Sequence, residues 1–401
     1  MSINIKNDIS IFLGSNKVNI KPFNLFDELI VNFFHEISNE IKKTKKNIYP
    51  DLSTLGFWLR KSNLINSYKK LNITDHRLGR GLSFQIAPNN IPLNFFYTFA
   101  YSLLSGNNTI IRVSSTIYPQ REALFKIINK ILNKKEFQKI KNKFAIVYYD
   151  KKINSLFDQL NKVCDIRVVW GSNETVQYFK NIPTKPRCFD IYFGDRYSFS
   201  LIDPNAFIKL SSKNRKVLIT KFYNDTYLND QNSCSAPHLV IWYGKKNEKA
   251  VSLFWNTLND YVKLKYDFDF YKTSEKYRFI QKNAIQNKYF GSILSFQYNL
   301  NILNLKNIFK NIDQVRGRWG FFLQYSSEDL NFLKNIVNSN FQTLSYYGIN
   351  SLELKKFIIS KGLNGIDRVV PIGHTLDINL IWDGWDIIRS LSRVIEVRHM
   401  E

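Results

Sequence analysis

The 401-residue chain is long enough for two or three domains, and its hydrophobic (44%) and aromatic (15%) contents are those of a globular protein. A net charge of +24 suggests a nucleic-acid partner. However, the lysines are scattered among Asn, Ile, Phe and Tyr without any RNP-like, zinc-finger or helix-turn-helix pattern, so we expect no nucleic-acid partner. Three cysteines, no signal-peptide pattern and no apolar run of about 20 residues predict a cytoplasmic protein without disulfides or a membrane span.

The first half of the chain changes from helices to alternating strands and helices. Phe26–Lys43 and Leu55–Leu71 carry apolar stripes typical of helices. From residue 82 onward, strands are predicted at Leu82–Ala87, Thr109–Val113, Phe144–Tyr149 and Asp165–Trp170, with helices at Leu93–Ser105, Tyr118–Leu132 and Ile153–Val163. This alternation predicts an α/β fold with a doubly wound parallel sheet, whose ligands bind beyond the carboxyl ends of the strands.

A second α/β region begins near Asp203. Its predicted helices are Ala206–Tyr223, Ala250–Lys265 and Ser274–Gln286, and its predicted strands are Leu239–Tyr243, Phe321–Tyr325, Thr343–Tyr347 and Arg368–Ile372. The pattern therefore divides the chain into residues 1–203, residues 204–375 and a tail of residues 376–401.

The most suggestive stretch is Leu228–Gly244, in which Cys234 lies among small and polar residues just before an apolar strand. A cysteine that serves only in packing is usually flanked by apolar residues. This one lies in a turn, where a substrate can reach the thiol and backbone N–H groups are available. The sequence therefore favours Cys234 as a nucleophile, although an incidental cysteine in a polar loop is the alternative.

Other combinations of cysteine and histidine carry less chemistry. Cys164 opens an apolar strand and is expected in the core, and Cys188 has no evident partner. No Cys or His pair has zinc-ligand spacing, so we expect no metal site. His238 and His374 are the histidines near suggestive sequence, and a hydrolase or transferase built on Cys234 and His374 is an alternative function.

Three loops could complete a site around the cysteine. Asn90, after the first strand of the alternating region, could donate a hydrogen bond to an oxyanion. Arg112 and Ser114 end the next strand and could hold an anionic ligand. Gly171 and Ser172 precede a helix whose N-terminus could receive a phosphate, although the usual G-x-G-x-x-G fingerprint is absent.

The order of these motifs resembles the LuxC-type acyl-CoA reductase family of the aldehyde dehydrogenase superfamily, from about residue 80 to the end. The match at Asp230–His238 is the most specific. The segments that carry the resemblance are Ile86–Pro92, Leu103–Ser114, Trp170–Ser172, Gly194–Phe199, Asp230–His238, Gly365–Gly373 and Ile381–Leu391.

The resemblance implies an aldehyde dehydrogenase-like fold: residues 1–203 would hold the N-terminal helices and an NADP-binding α/β domain, and residues 204–375 a catalytic α/β domain. The tail, residues 376–401, would pack back or join an oligomer interface. It also implies Cys234 as the nucleophile, Asn90 as the oxyanion donor and, as residues that line the cofactor, Arg112, Ser114, Gly171 and Ser172.

Two departures from related enzymes refine the expected reaction. Hydrolytic aldehyde dehydrogenases carry a Glu general base in the segment that corresponds to Phe189–Gly194, where this chain offers only Asp190, which we do not align with that base. An acyl-enzyme would then survive until hydride reaches it. Ser115 stands where many NAD-preferring members place a Glu, so Arg112 without that carboxylate favours NADPH.

The resemblance, with these two departures, therefore implies NADPH-dependent reduction of a long-chain fatty acyl-CoA or acyl-protein thioester to the aldehyde, through an S-acyl-cysteine intermediate. The expected partners, besides the substrate, are an acyl-activating synthetase or acyltransferase and further copies of the chain in a homo-oligomer.

Overall fold

The computed structural model describes residues 2–5, 9–44, 49–88, 91–150, 154–286 and 288–398. The chain forms two units, residues 1–194 with 379–401 and residues 195–378. The sequence placed the first division at residue 203, after a strand that it did not recognise.

The first unit begins with nine strands and seven helices among the described residues. Its strands are β1 (Ser2–Asn4), β2 (Ser10–Gly14), β3 (Lys17–Asn19), β4 (Arg77–Gly79), β5 (Leu82–Ile86), β6 (Asn108–Arg112), β7 (Phe144–Tyr148), β8 (Ile166–Trp170) and β9 (Phe189–Phe193). Its helices are α1 (Glu28–Lys43), α2 (Pro50–Trp58), α3 (Lys61–Lys70), α4 (Asn94–Leu104), α5 (Pro119–Leu132), α6 (Asn154–Val163) and α7 (Asn173–Lys180).

The main sheet of the first unit has the order β2-β7-β6-β5-β8-β9. Only β2 is antiparallel to its neighbour, and the other pairs are parallel. All five residues of β5 are buried, as expected for a central parallel strand covered on both faces. The alternating strands and helices that the sequence predicted for this region are therefore present.

Two helix boundaries show why local sequence marks some ends and not others. Gly106, at φ +80°, ends α4 as predicted, and the N–H of Asn107 bonds the carbonyl of Ser102 in a Schellman motif. By contrast, the helix predicted at Leu55–Leu71 is two helices, α2 and α3. The break at Leu59 and Arg60 contains neither Gly nor Pro, so the apolar spacing gave no sign of it.

The second unit is built on a seven-stranded sheet. Its strands are β10 (Tyr197–Ile202), β11 (Pro237–Tyr243), β12 (Phe290–Phe296), β13 (Leu300–Leu305), β14 (Phe321–Ser327), β15 (Phe341–Tyr347) and β16 (Arg368–Pro371). Its helices are α8 (Pro204–Ile208), α9 (Ser212–Thr226), α10 (Glu248–Lys265), α11 (Phe270–Gln286), α12 (Leu333–Ile336) and α13 (Ser351–Ser360). The single helix predicted at Ala206–Tyr223 is therefore α8 and α9, because the Ser211 side chain caps a new helix.

The strand order in this sheet is β12-β13-β14-β11-β10-β15-β16, and only β12 is antiparallel. Apolar side chains from β10, β11, β14 and β15 are buried on both faces of the sheet. Because β10 lies between β11 and β15 and is parallel to both, the segments that enter these three strands lie side by side at the amino ends of the strands.

The residues that follow the second unit return to the first. They form β17 (Ile381–Trp382), β18 (Trp385–Asp386), α14 (Ile387–Ser390) and β19 (Ser392–Val394). Strand β19 pairs with β4, and the Asn107 side chain donates to the carbonyl of Leu391. No helix in the described part of the chain is both long enough and apolar enough to span a membrane.

Candidate active site

Cys234 lies in a loop, Asp230–Ala236, that leads into β11; we call it the Cys loop. The loop begins with two residues in the left-handed region, Asp230 at φ +54° and Gln231 at φ +56°. It closes with a turn in which the N–H of Ala236 bonds the carbonyl of Ser233. The turn places the thiol at the amino end of β11, in a half-buried position.

Gln231 ties the Cys loop to the start of β14. Its Oε1 accepts a hydrogen bond from the N–H of Gly320 at 2.8 Å. Its Nε2 donates to the carbonyls of Phe321 at 3.2 Å and Pro237 at 3.3 Å. The side chain is 1% exposed. A single buried amide therefore satisfies three backbone groups and holds the loop against the sheet.

Ser198, in β10, holds the backbone of Cys234 itself. Its Oγ donates to the Cys234 carbonyl at 2.8 Å and accepts from the N–H of Thr343 at 3.2 Å. The pairing of β10 with β11 and with β15 is irregular at Ser198, where each neighbouring strand carries one extra residue. Such bulges redirect side chains and are common beside active sites.

The bulge on β15 brings Gln342 to the thiol. Its Nε2 donates to Cys234 Sγ at 3.4 Å, and its Oε1 accepts from Thr343 Oγ1 at 3.2 Å. Sulfur is a large, polarisable acceptor, and a thiolate gains far more than a thiol from such a donor. The arrangement therefore favours the ionised, nucleophilic form of Cys234.

Arg316 adds a positive charge near the same thiol. Burial lowers the pKa of its guanidinium, while the negative charges of Asp195 and of ionised Cys234 oppose that shift. The side chain keeps 29% of its surface exposed, and Nη1 lies 3.7 Å from Asp195 Oδ1. Arg316 and the Gln342 amide therefore both stabilise negative charge on Cys234.

His238 lies four residues after the cysteine, buried and stacked on the ring of Tyr197 at 5.6 Å. Burial lowers its pKa well below the usual value, Arg316 lowers it further, and the backbone of Gly317 opposes the shift. Neither ring nitrogen makes a well-formed hydrogen bond with any residue that the structure describes. His238 is therefore neutral at physiological pH.

The sequence missed Ser198, Gln342 and Arg316 as members of this site. The first two belong to β10 and β15, and only strand pairing brings them to the cysteine. Arg316 did leave a signal, because two arginines surround Gly317 just before a strand. Such a pair of cations at the amino end of a strand could have been noted as a possible anion site.

Two of the predicted cofactor residues lie at the carboxyl end of β6. Arg112 donates through Nε and Nη2 to the carbonyl of Tyr149, both at 3.3 Å, and its guanidinium lies 5.2 Å from that ring. Ser114 follows the strand, and its carbonyl accepts from Arg121 at 2.8 Å. Burial raises the pKa of Tyr149, whose hydroxyl has no partner among the described residues.

The other two predicted cofactor residues lie at the carboxyl end of β8. Ser172 caps α7, and its Oγ accepts from the N–H of Thr175 at 3.3 Å. A Cβ on Gly171 would lie 2.7 Å from the Thr175 side chain, so the backbone passes close to the helix start. Because Ile86 of β5 pairs with both Arg112 and Val169, the two loops are about 10 Å apart across this edge.

Three further predictions concern Asn90, Asp190 and the remaining cysteines. Asn90 lies outside the described residues. Asp190 accepts two hydrogen bonds from Arg167, at 2.6 and 3.1 Å, as expected of a structural ion pair rather than a base. Cys188 was predicted to lack a partner, and this was wrong. Its Sγ lies 3.6 Å from that of buried Cys164, because Cys164 lies two residues before β8 and Cys188 lies one residue before the neighbouring strand β9.

Comparison with known proteins identifies the family. The model of the acyl-CoA reductase (LuxC) family matches residues 53–286. The chain belongs to this family. The long-chain acyl-protein thioester reductase of Photorhabdus laumondii is 22% identical over 323 residues, which cover 79% of this chain and 63% of that protein. The predicted family is thereby confirmed, and it is a family of oxidoreductases.

Solved structures confirm the predicted fold. Aldehyde dehydrogenase 21 from Physcomitrella patens superposes with a TM-score of 0.62 and 11% identity, covering 99% of this chain and 95% of its own. Glyceraldehyde-3-phosphate dehydrogenase from Methanocaldococcus jannaschii, solved with NADP, gives a TM-score of 0.58 at 13% identity, covering 92% and 88%. The chain therefore has the aldehyde dehydrogenase fold.

Proposed function

We propose that this chain reduces a long-chain acyl thioester to the aldehyde, with Cys234 as the nucleophile and NADPH as the reductant. The observation that carries the proposal is the placement of Cys234 at the amino end of β11, where Gln342 donates to its sulfur. Membership of the acyl-CoA reductase family supports the choice of substrate and reaction.

The proposed reaction has two halves. The Cys234 thiolate attacks the acyl carbon, the bond to the departing thiol breaks, and that thiol leaves with a proton. Bound NADPH would supply the hydride that reduces the acyl carbon. The resulting thiohemiacetal oxyanion then collapses, its bond to Sγ breaks, the aldehyde departs and the thiolate returns. Each turnover converts one acyl thioester, one NADPH and one proton into aldehyde, free thiol and NADP⁺.

The edge of the first unit's sheet fits a nicotinamide dinucleotide. Two nitrogens of Arg112 bond the Tyr149 carbonyl, and among the described residues none accepts from Nη1, which is available for a phosphate. The N-terminus of α7, after Gly171, offers backbone N–H groups and the positive end of a helix dipole. The buried Tyr149 hydroxyl, which has no partner in the described part of the chain, is a further polar group at the carboxyl end of these strands.

The position of Asp190 supports reduction over hydrolysis. Asp190, the acid in the segment where hydrolytic relatives carry their base, is held by Arg167. This contact favours an acyl-enzyme that waits for hydride. His374, the histidine of the alternative hydrolase, is hydrogen-bonded to Asp377 at 2.7 Å, which a catalytic histidine also shows, so the labelling experiment below decides between the two functions. Asn90 as the oxyanion donor, the preference for NADPH over NADH and a homo-oligomeric state stay predictions.

Labelling with radioactive acyl-CoA tests the proposal. Wild-type protein should take up about one acyl group per chain without NADPH and release it as aldehyde when NADPH is added. Cys234→Ser should take up none, whereas the matched control Cys188→Ser should label like the wild type. Full labelling and aldehyde release by the Cys234→Ser protein would overturn the assignment, and thioester consumption without NADPH oxidation would indicate the hydrolase.

A further inference from the structure

Gln342 has features that a side chain needed only for packing does not require. It is 1% exposed, yet its polar end is directed at the sulfur of Cys234. The adjacent residue in the chain, Thr343, bonds both Gln342 and, through its N–H, Ser198. The bulge that holds these residues interrupts the pairing of β15 with β10, and bulges of this kind are over-represented next to active sites.

A series of hydrogen bonds determines which atom of the Gln342 side-chain amide faces the sulfur of Cys234. Arg368 has only donors, so its Nη1, 3.5 Å from Thr343 Oγ1, can only donate to that oxygen. The Thr343 hydroxyl proton is then directed to Gln342 Oε1. With Oε1 engaged as an acceptor, the amide presents Nε2–H to Cys234 Sγ.

Backbone carbonyls hold Arg368, the first donor in this series of hydrogen bonds. Nη1 of Arg368 donates to the carbonyl of Thr375 at 2.9 Å, and Nη2 donates to that of Asp377 at 3.0 Å. These bonds keep the guanidinium in place beside β15. The donor direction therefore runs from Arg368 through Thr343 and Gln342 to the sulfur.

We propose that Gln342 is a catalytic residue that stabilises the Cys234 thiolate, and that Thr343 is the positioning residue that orients its amide. The proposal rests on the proposed function, because it takes Cys234 as the nucleophile. Gln342 keeps both amide protons throughout. Its N–H stabilises the electron pair on sulfur before attack, and again when the thiohemiacetal collapses and that pair returns to Sγ.

The test is the pH dependence of Cys234 alkylation by iodoacetamide, followed on the Cys234 peptide by mass spectrometry. Gln342→Glu removes the donor and adds a negative charge, so the pKa of Cys234 should rise by one unit or more (about one unit for a lost charged hydrogen bond). Thr343→Val should raise it by a smaller amount, and Thr343→Ser should restore the wild-type value. Gln281→Glu, on an exposed position of α11, is the matched control and should change nothing.

A second variant keeps the test informative if Gln342→Glu does not fold. Gln342→Asn keeps an amide but is shorter, so if the Glu variant does not fold, the Asn variant should still raise the pKa. Alkylation that reaches the wild-type rate at high pH shows that the site is intact. A Cys234 pKa unchanged in every folded Gln342 variant would overturn the proposal, as would equal pKa values for Thr343→Val and Thr343→Ser.

Turnover distinguishes this proposal from the proposed function. Gln342→Asn should lower kcat for acyl-CoA reduction about tenfold, with little change in KM, because the amide acts on the sulfur and not on substrate binding. If the wild-type protein reduced no acyl thioester while the alkylation shifts appeared as expected, the reductase assignment would fail and the role of Gln342 at Cys234 would stand. Normal turnover in Gln342→Asn would contradict only the role of Gln342 and would leave the reductase assignment unaffected.

Discussion

Gln231→Ala tests how the Cys loop is held in position. The substitution removes the amide that bonds the N–H of Gly320 and the carbonyls of Phe321 and Pro237, all in a buried setting. The left-handed backbone at residue 231 is equally unfavourable for Gln and Ala, so backbone strain does not contribute to the difference. What changes is the loss of three hydrogen bonds and a small cavity.

The expected cost follows from those bonds. A buried hydrogen bond contributes about 1 kcal/mol, so three give roughly 3 kcal/mol, and the cavity increases this value. The loss should be concentrated at the Cys loop and the start of β14. At the Gly320 amide, a local loss of about 1.4 kcal/mol corresponds to tenfold faster hydrogen exchange.

Two measurements check this prediction. Hydrogen exchange followed by mass spectrometry should show faster exchange in the peptide that contains Gly320, and urea unfolding should show a lower midpoint. The control is Gln281→Ala, whose exposed side chain on α11 predicts a change within about 0.5 kcal/mol. If Gln231→Ala matched this control in both measurements, the assignment of Gln231 as the anchor of the Cys loop would be wrong.

Three further predictions follow from buried or charged groups. Burial lowers the pKa of Lys276 from 10.5 to about 7. Between these pH values the unfolded chain binds more protons than the folded chain, so the free energy of unfolding rises with pH. Lys276→Met should remove a contribution of about 1.4 kcal/mol per pH unit to that rise, as measured by urea unfolding from pH 7.5 to 9.5. Arg112→Ala should raise KM for NADPH about tenfold and KM for NADH less, because the lost charged contact is to the 2′-phosphate, which NADH lacks. Equal changes in the two KM values would contradict this role of Arg112. The Cys164 thiol lowers the pKa of Cys188, so Cys164→Ala should slow iodoacetamide alkylation of Cys188 several-fold at pH 7, and an unchanged rate would refute the contact.

Local sequence predicted most of the first unit's sheet. Each of its parallel strands β5 to β8 is a short apolar run followed by a helix, and such runs are recognisable without knowledge of their partners. The sequence did not predict β10, although all six of its residues are buried. Three of them are Tyr or Ser, and the run Tyr197–Ile202 lies directly before the short helix α8, so its apolar content alone did not mark it as a strand.

For the candidate active site, too, local sequence indicated some residues and not others. Cys234 lies in a contiguous stretch, Asp230–His238, which local sequence can single out, and its role as the nucleophile stays a prediction. The groups that contact it come from distant parts of the chain: Ser198 is 36 residues away and Gln342 is 108. Ser198 lies within Gly194–Phe199, a segment that carries the family resemblance, but nothing in that segment assigns the residue to the cysteine.

The bulges beside β10 explain why these groups could not be predicted. Tyr197 pairs with Phe341 but Phe199 pairs with Leu344, so β15 gains one residue over this step. Without that residue, the alternation of side chains along a strand would carry Gln342 to a different position relative to Cys234. Because register depends on the pairing of distant strands, no local property of Gln342 or Thr343 reports it. The proposed role of Gln342 at the thiol therefore depends on a one-residue irregularity in strand pairing, which becomes visible only when the whole sheet is assembled.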